Sequence, residues 1–349
     1  MGRNISTLKE MIALRAMGHT VEVVYPSDAR LGFRSREEGF AVHYARMRGG
    51  ADVRSMLSIK ALLSRGKFDV LNTRSGHDSL VAGAAGRLVG TPLIVRTRHL
   101  ALPISSLATY TLIPHRVIAV SRYVRHHLIS TGVAKERVKT IYDGIVKPEA
   151  HSHSTLRNEL GLDSGAIVAG MVAIMRDKKG HEDLIAAARP MLAERHNLHF
   201  VMAGDCPWFG KIKNIVDGLG LARQIHLLGF RTDIPNVLRG CDLFVLPTHQ
   251  EALGQSYIEA MAEGLRVIGT DVNGVPEVIT HCVNRLLVPP HDVDSLRAAI
   301  SRLIDNPGLR AQLGKAGRLL TDVSFTVDCM AKETVDFYRC GISERRART

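Results

Sequence analysis

The sequence predicts an α/β fold made of two doubly wound, Rossmann-like domains, and three observations lead to it. Strand-like and helix-like segments alternate along the whole chain. A polar, proline-bearing stretch, YDGIVKPEAHSHS at 142–154, separates them into two sets and reads as a linker. The 349 residues, 45% hydrophobic and 23% charged, suffice for two cores. The expected domains are 1–147 and 148–349.

In the first set, residues 5–17 read as a helix closed by Gly18, followed by the strand VEVVYP at 21–26. FDVLNTR at 68–74, LIVRTRH at 93–99 and RVIAV at 116–120 are further strands, with helices expected at 56–64, 80–88 and 124–130. The second set opens with strands at 166–175, 199–205 and 225–229. There is no internal repeat and no low-complexity segment.

Charge is uneven. Residues 1–150 hold 23 Lys and Arg against 11 Asp and Glu, whereas residues 151–349 hold 23 of each, so the first half carries the whole excess of +12. A one-sided basic field points to an anionic partner, and the inner face of a membrane is the partner expected. Nucleic acid is not expected: no recognition motif accompanies the charge, and aromatic residues are only 5% of the chain. No apolar run approaches the ~18 residues of a membrane span, and no export signal opens the chain, so a cytoplasmic, membrane-peripheral location is expected. Five cysteines, Cys206, Cys241, Cys282, Cys329 and Cys340, lack metal-type spacing and read as reduced thiols.

The stretch richest in chemistry is HQEALGQSYIE at 249–259. CDLFVLPTH at 241–249 reads as a buried parallel strand, and SYIEAMAEG at 256–264 as a helix whose first amides lie near Leu253, Gly254, Gln255 and Ser256. A helix start favours phosphate. Glu251 and Glu259 flank it, and carboxylates beside a phosphate serve to accept hydrogen bonds from hydroxyls, which describes a sugar nucleotide. Taken alone the spacing fits two solvated glutamates better. The continuation, EAMAEGLRVIGTDVNGVPE at 259–277, resembles the donor-site signature of glycosyltransferase family 4, the retaining, metal-independent transferases of GT-B fold, and the resemblance extends over nearly the whole chain.

The resemblance implies two domains facing a cleft, a donor on the second and an acceptor on the first. In MRDKKGHEDLI at 175–185, Arg176 and Lys179 would face the diphosphate; Lys179 with Gly180 matches the family closely, whereas Arg176 sits nearer the lysine than in many members. HFVMAGDCP at 199–207 matches the strand that ends at Gly204, and Phe230 and Arg231 in LLGFRTDIPNV would lie along the nucleobase. Glu251 would hold sugar hydroxyls and Glu259 the ribose. His99 would approach the donor sugar, so His99, Arg176, Lys179 and Glu251 form the expected catalytic set. Arg74, Ser75, His77 and Arg98, with Gly76 and Asp78 in the same polar loop, are acceptor candidates. A helix at about 327–338 would cross back to the first domain. No cofactor and no metal are expected, the nucleotide-diphosphate sugar being a substrate.

The chain departs from the family pattern at Arg266, at Cys282 and Arg285 where the family has turn glycines, and at Asp143 where it has asparagine. It also begins at the first helix, so the first strand of the N-terminal domain and its Gly-Gly loop are expected to be missing. The function expected is transfer of a hexose-type sugar to a lipid-linked or surface-glycan acceptor, of the lipopolysaccharide kind. The alternatives are a nucleotide-sugar epimerase of the same fold and a non-catalytic binding protein of transferase descent.

Overall fold

The structure is a computed structural model that describes residues 2–47, 49, 52–147, 153–205, 207–279 and 286–347. Cys206, Cys282 and Arg285, and residues 148–152 of the expected linker, lie outside the described residues. The chain forms two compact units, residues 1–145 with 326–349, and residues 146–325.

The first unit runs α1 (Gly2–Ala16), β1 (Glu22–Tyr25), α2 (Arg30–Glu37), β2 (Ala41–Tyr44), α3 (Val53–Gly66), β3 (Val70–Thr73), α4 (Gly76–Val89), β4 (Leu93–Arg98), α5 (Ala108–Thr111), β5 (Arg116–Ala119), α6 (Arg122–Ser130) and β6 (Val138–Thr140). The second runs α7 (Leu156–Glu159), β7 (Ile167–Val172), α8 (His181–Glu194), β8 (Leu198–Ala203), α9 (Phe209–Gly218), β9 (Ile225–Gly229), α10 (Ile234–Arg239), β10 (Leu243–Leu246), α11 (Gln255–Ala262), β11 (Arg266–Thr270), α12 (Val275–Val278), β12 (Leu286–Val288), α13 (Val293–Asp305) and α14 (Pro307–Ser324). The last helix, α15 (Val327–Arg346), belongs to the first unit and is about two turns longer than the 327–338 expected. Strands β2, β6, β11 and β12 fall outside the expected strand segments. They are three to five residues long, too short for alternation to show.

All ladders among the described strands are parallel. The second unit has one sheet, in the order β12-β11-β10-β7-β8-β9. The chain starts at β7, winds outward through β8 and β9, then returns to the other side of β7 with β10, so β7 and β10 bound the topological switch point where such sheets bind ligands. These two strands are almost wholly buried, and their apolar runs suit a sheet covered on both faces.

The first unit differs. Its strands form two sheets, a β1-β2 pair and a β3-β4-β5-β6 ladder. Among the described strands β1 and β3 are each laddered on one side only, and their side chains are mostly half-buried, yet Val24 and Leu71 pack on one cluster with Ile59, Leu63 and Val81. β4 is buried at every residue and carries the unit's centre.

Helix α15 is seated on this ladder. Met330 and Phe337 share a cluster with Leu93, Val95, Ile118 and Ile141. Asn72 donates to the Tyr338 hydroxyl at 2.8 Å, and Arg345 donates to the Pro92 carbonyl at 2.7 Å. A Cβ on Gly144 would stand 2.5 Å from the Thr326 carbonyl oxygen, so a glycine lets the chain pass beside the start of α15.

Part of the basic excess is used internally. Arg87 donates to the carbonyls of Ile113 and Leu112, and Arg137 to those of His115 and Thr111, closing the carbonyl-rich end of α5. His115 Nδ1 accepts the Ile94 amide at 2.9 Å, which requires that nitrogen to be unprotonated. Burial, with the charges of Arg87, Arg345 and Arg137 nearby, pushes the His115 pKa down to about 3. In the unfolded chain histidine binds a proton near pH 6.5. The unfolded state therefore takes up protons first as pH falls, and stability drops progressively from about pH 6.5 towards pH 3. His115→Asn, which keeps an acceptor but does not titrate, flattens this part of the profile in denaturant unfolding followed against pH. An unchanged profile would place the acid sensitivity elsewhere.

Candidate functional site

In the second unit the residues expected around a donor come from loops that leave the C-terminal ends of β7, β8, β9 and β10. After β7 the chain makes a tight turn through Asp177, Lys178 and Lys179 to Gly180, whose φ is +71°. A Cβ there would stand 1.9 Å from the Pro247 carbonyl oxygen, so glycine lets α8 begin against the exit of β10. The Lys178 carbonyl accepts from the His249 amide at 2.8 Å and from Thr248 Oγ1 at 2.9 Å, which ties the two loops together.

That contact sets Lys179 against Glu251, and the ammonium and carboxylate form an ion pair with side chains 14% and 19% exposed. Glu251 is held from three further directions. Its Oε1 accepts the Ala252 amide at 3.1 Å, its own amide donates to Asn273 Oδ1 at 3.2 Å, and its carbonyl accepts the Gly274 amide at 3.2 Å. A Cβ on Gly274 would meet the Ala252 carbonyl oxygen at 1.9 Å, so the Asn-Gly turn after β11 closes directly on the Glu251 loop. Burial and the neighbouring Lys179 charge hold the Lys178 ammonium below its ordinary pKa, and exposed Arg176 adds to that positive field.

Helix α11 starts beside this pair. Gly254, with φ +97°, occupies the cap position, and no side chain caps the first amides. Leu253 is 3% exposed and can offer only its backbone. Gln255 Nε2 is buried with no hydrogen-bond partner, a donor whose desolvation nothing in the chain offsets. Ser256 and Glu259 are half-buried in the first turns of the same helix.

Gly204, after β8, packs so closely on the exit of β7 that a Cβ would stand 1.8 Å from the Ala173 carbonyl oxygen. Phe230 follows Gly229 at the end of β9 and is 45% exposed, an open aromatic face rather than a core residue. Arg231 is engaged. It forks onto Asp233 at 2.8 and 2.6 Å and reaches Glu159 at 2.9 Å, hydrogen bonds that raise its own pKa and hold the Asp233 carboxyl well below the usual range. Arg266 also has a structural task, donating to the carbonyls of Arg310 and Asp242.

In the first unit four residues form a buried chain. Arg74 follows β3, His99 follows β4 and Asp143 follows β6; Glu10 comes from α1. Arg74 pairs with Glu10, and its Nη1 lies 3.1 Å from His99 Nε2; His99 Nδ1 lies 3.2 Å from Asp143 Oδ2. Guanidinium can only donate, so Nε2 accepts, and the ring proton sits on Nδ1 and is given to Asp143. Burial alone would raise the Asp143 carboxyl, but the facing His99 holds it below its ordinary value. Burial likewise opposes the Arg74 charge, and Glu10 outweighs it. In the sequence Asp143 stands out only as a departure from asparagine, and nothing but an acidic residue within the run of the first helix marks Glu10.

Arg98 does not join this group. Successive strand residues point to opposite faces, so Arg98 follows Arg96 into the interior, where both guanidinium groups lie over the Tyr110 ring at 5.4 and 3.8 Å. Arg98 is 7% exposed and donates to the Tyr110 hydroxyl and the Leu102 carbonyl. The expected loop at 75–78 is instead the first turn of α4, capped by a reciprocal Ser75 and Asp78 pair, with His77 exposed.

Residues 5–146 match the model of Glycosyltransferase Family 4, and residues 152–320 that of Glycosyl transferases group 1. An uncharacterized glycosyltransferase of Methanocaldococcus jannaschii is 28% identical over 233 residues, 64% of this chain and 60% of that protein. A UDP-Gal:alpha-D-GlcNAc-diphosphoundecaprenol alpha-1,3-galactosyltransferase of Escherichia coli is 26% identical over 277 residues, 73% of this chain and 71% of that one. The first of these alignments spans less than two thirds of the relative's length. The crystal structure of Anabaena Alr3699/HepE in complex with UDP-glucose superposes with a TM-score of 0.84 at 21% identity, covering 100% of this chain and 96% of that one. With a family 4 domain followed by a group 1 domain, and two parallel-sheet α/β units in the likeness of such structures, this chain is a glycosyltransferase-family protein of GT-B type.

Proposed function

We propose that the protein is a retaining, metal-independent glycosyltransferase that moves a hexose-type sugar from a nucleotide-diphosphate donor to a lipid-linked or surface-glycan acceptor. The observation that carries this reading is the cluster at the switch point of the second unit. Lys179 and Glu251 meet beside an uncapped helix start, where the buried Gln255 amide lacks a partner. A diphosphate seated there takes the helix amides, Lys179 and Arg176; Glu251 then faces sugar hydroxyls and Glu259 the ribose, with Phe230 against the base. The Escherichia coli relative is named for a UDP-sugar donor and a lipid diphosphate acceptor, and the Anabaena structure holds UDP-glucose, both in keeping with this donor class.

In the proposed reaction the bond from the anomeric carbon to the diphosphate breaks, and the acceptor hydroxyl bonds to that carbon on the face the diphosphate leaves, passing its proton to a departing phosphate oxygen. The chain's part is electrostatic: fixed donors stabilise charge that grows on the leaving diphosphate. His99, hydrogen-bonded at one ring nitrogen to Arg74 and at the other to Asp143, is fixed in one orientation; its role is to hold a rigid polar wall on the acceptor side.

Lys179→Ala lowers kcat by about a hundredfold or more while weakening donor binding less, and Arg176→Ala costs less than Lys179→Ala. Steady-state transfer and calorimetric donor titration on the same variants check this; equal losses in both parameters would make Lys179 a simple binding residue. Release of free sugar or of an epimer without acceptor would favour the epimerase reading.

Glu259→Ala weakens nucleotide-sugar binding by roughly 1.5 to 3 kcal/mol, the value of a hydrogen bond to a charged acceptor. Glu251→Ala acts on turnover, and it also lowers the stability of the ligand-free second unit because Lys179 is left half-buried without its partner. Wild-type donor affinity for both variants would remove the two glutamates from the site.

The anionic inner membrane face is proposed as the surface the first unit works on. Helix α2 presents exposed Phe33 beside exposed Arg34 and Arg36, and no helix among the described residues is long and apolar enough to cross a membrane. The protein sediments with acidic-lipid vesicles and is released as salt rises, and Arg34→Glu with Phe33→Ser weakens this retention. Retention that ignores lipid charge would contradict it.

A further inference from the structure

Apart from the residues assigned above, three side chains of the second unit converge. Asp183 stands in the first turn of α8, His249 in the loop after β10 and His291 between β12 and α13; one ligand-type atom of each lies within 4.8 Å of the other two. His249 Nε2 is 2.7 Å from Asp183 Oδ2, and the His249 and His291 rings are 3.7 Å apart at 37°. The backbone of His249 is anchored by its amide on the Lys178 carbonyl. His291 has φ +61°, a left-handed conformation that costs a residue with a Cβ, and the next residue, Asp292, caps α13 by accepting the Ser295 amide at 2.9 Å. The exposed His291 ring is thus held over His249 by a backbone in which glycine would be the relaxed choice.

We propose that Asp183, His249 and His291 form a transition-metal site, of the zinc or cobalt class, that staples these three loops together. Two imidazole nitrogens and one carboxylate oxygen are the donor set that such ions take, whereas magnesium and calcium call for shells made mainly of oxygen. With metal–ligand bonds of roughly 2.0 to 2.2 Å, tetrahedral ligand atoms stand about 3.3 Å apart. Three atoms already within 4.8 Å reach that spacing by small side-chain rotations. The proton shared by His249 and Asp183 is released as the ion binds, and the fourth position is left to water. None of the three ligands belongs to the diphosphate cluster, and the site stands on its own geometry whether or not the transferase reading holds.

The test uses the full chain without a polyhistidine tag, stripped of metal and titrated with Zn²⁺ by calorimetry and with Co²⁺ by visible absorption. The expected result is one equivalent per chain, not displaced by excess Mg²⁺, with a higher melting temperature when zinc is bound. His249→Ala lowers the affinity by about tenfold or more. His291→Gly does the same while its metal-free melting temperature is equal to or above that of the parent, since glycine relaxes the positive φ; this separates loss of a ligand from loss of the fold. Zinc binding of unchanged affinity in both variants, or no saturable binding to the parent chain, overturns the site.

Discussion

The geometry around Lys179 and Glu251 depends on backbone meeting backbone where β7 and β10 end. Gly180 lies so close to the Pro247 carbonyl, and Gly274 to the Ala252 carbonyl, that neither place admits a Cβ. Because α8 starts against the exit of β10, Lys179 reaches Glu251; because the turn after β11 closes on the same loop, Glu251 cannot swing away. Side chains on long flexible loops would pay rotamer entropy each time a ligand bound. Here the scaffold has set most of that geometry in advance.

The same constraint explains the polarity of the site. Parallel strands all end on one side of a sheet, so the loops after β7, β8, β9 and β10 gather at one edge, and the break in winding order between β7 and β10 opens space there. A lysine and a glutamate placed in that space neutralise each other when no anion is present. The pair lowers the cost of keeping a half-buried ammonium, and it leaves the uncapped start of α11, with Lys178 and Arg176, as the sources of positive potential.

In the first unit polar groups are used differently. The Glu10, Arg74, His99 and Asp143 chain is buried and satisfied, with each charge facing a partner, and such a network favours one arrangement of strand ends over its competitors. Arg96 and Arg98 wrap Tyr110, while Arg87 and Arg137 close backbone carbonyls. A sizeable share of the half's formal charge therefore serves the fold, and exposed residues such as Arg34 carry the outward field.

The sequence by itself determined the fold class and the loops in which Lys179, Glu251 and the start of α11 would be found. Those features are local: apolar runs with the periodicity of strands and helices, glycines at tight turns, and a motif contained in some thirty residues. Contacts between distant segments were decided only by the tertiary structure. The pairing of Lys179 with Glu251, the addition of Glu10 and Asp143 to His99, the convergence of Asp183, His249 and His291, and the inward turn of Arg98 each join segments whose separation in the chain carries no period. Short strands such as β6 and β12 belong with them, since three residues show no alternation and become strands only when a neighbouring ladder supplies the hydrogen bonds.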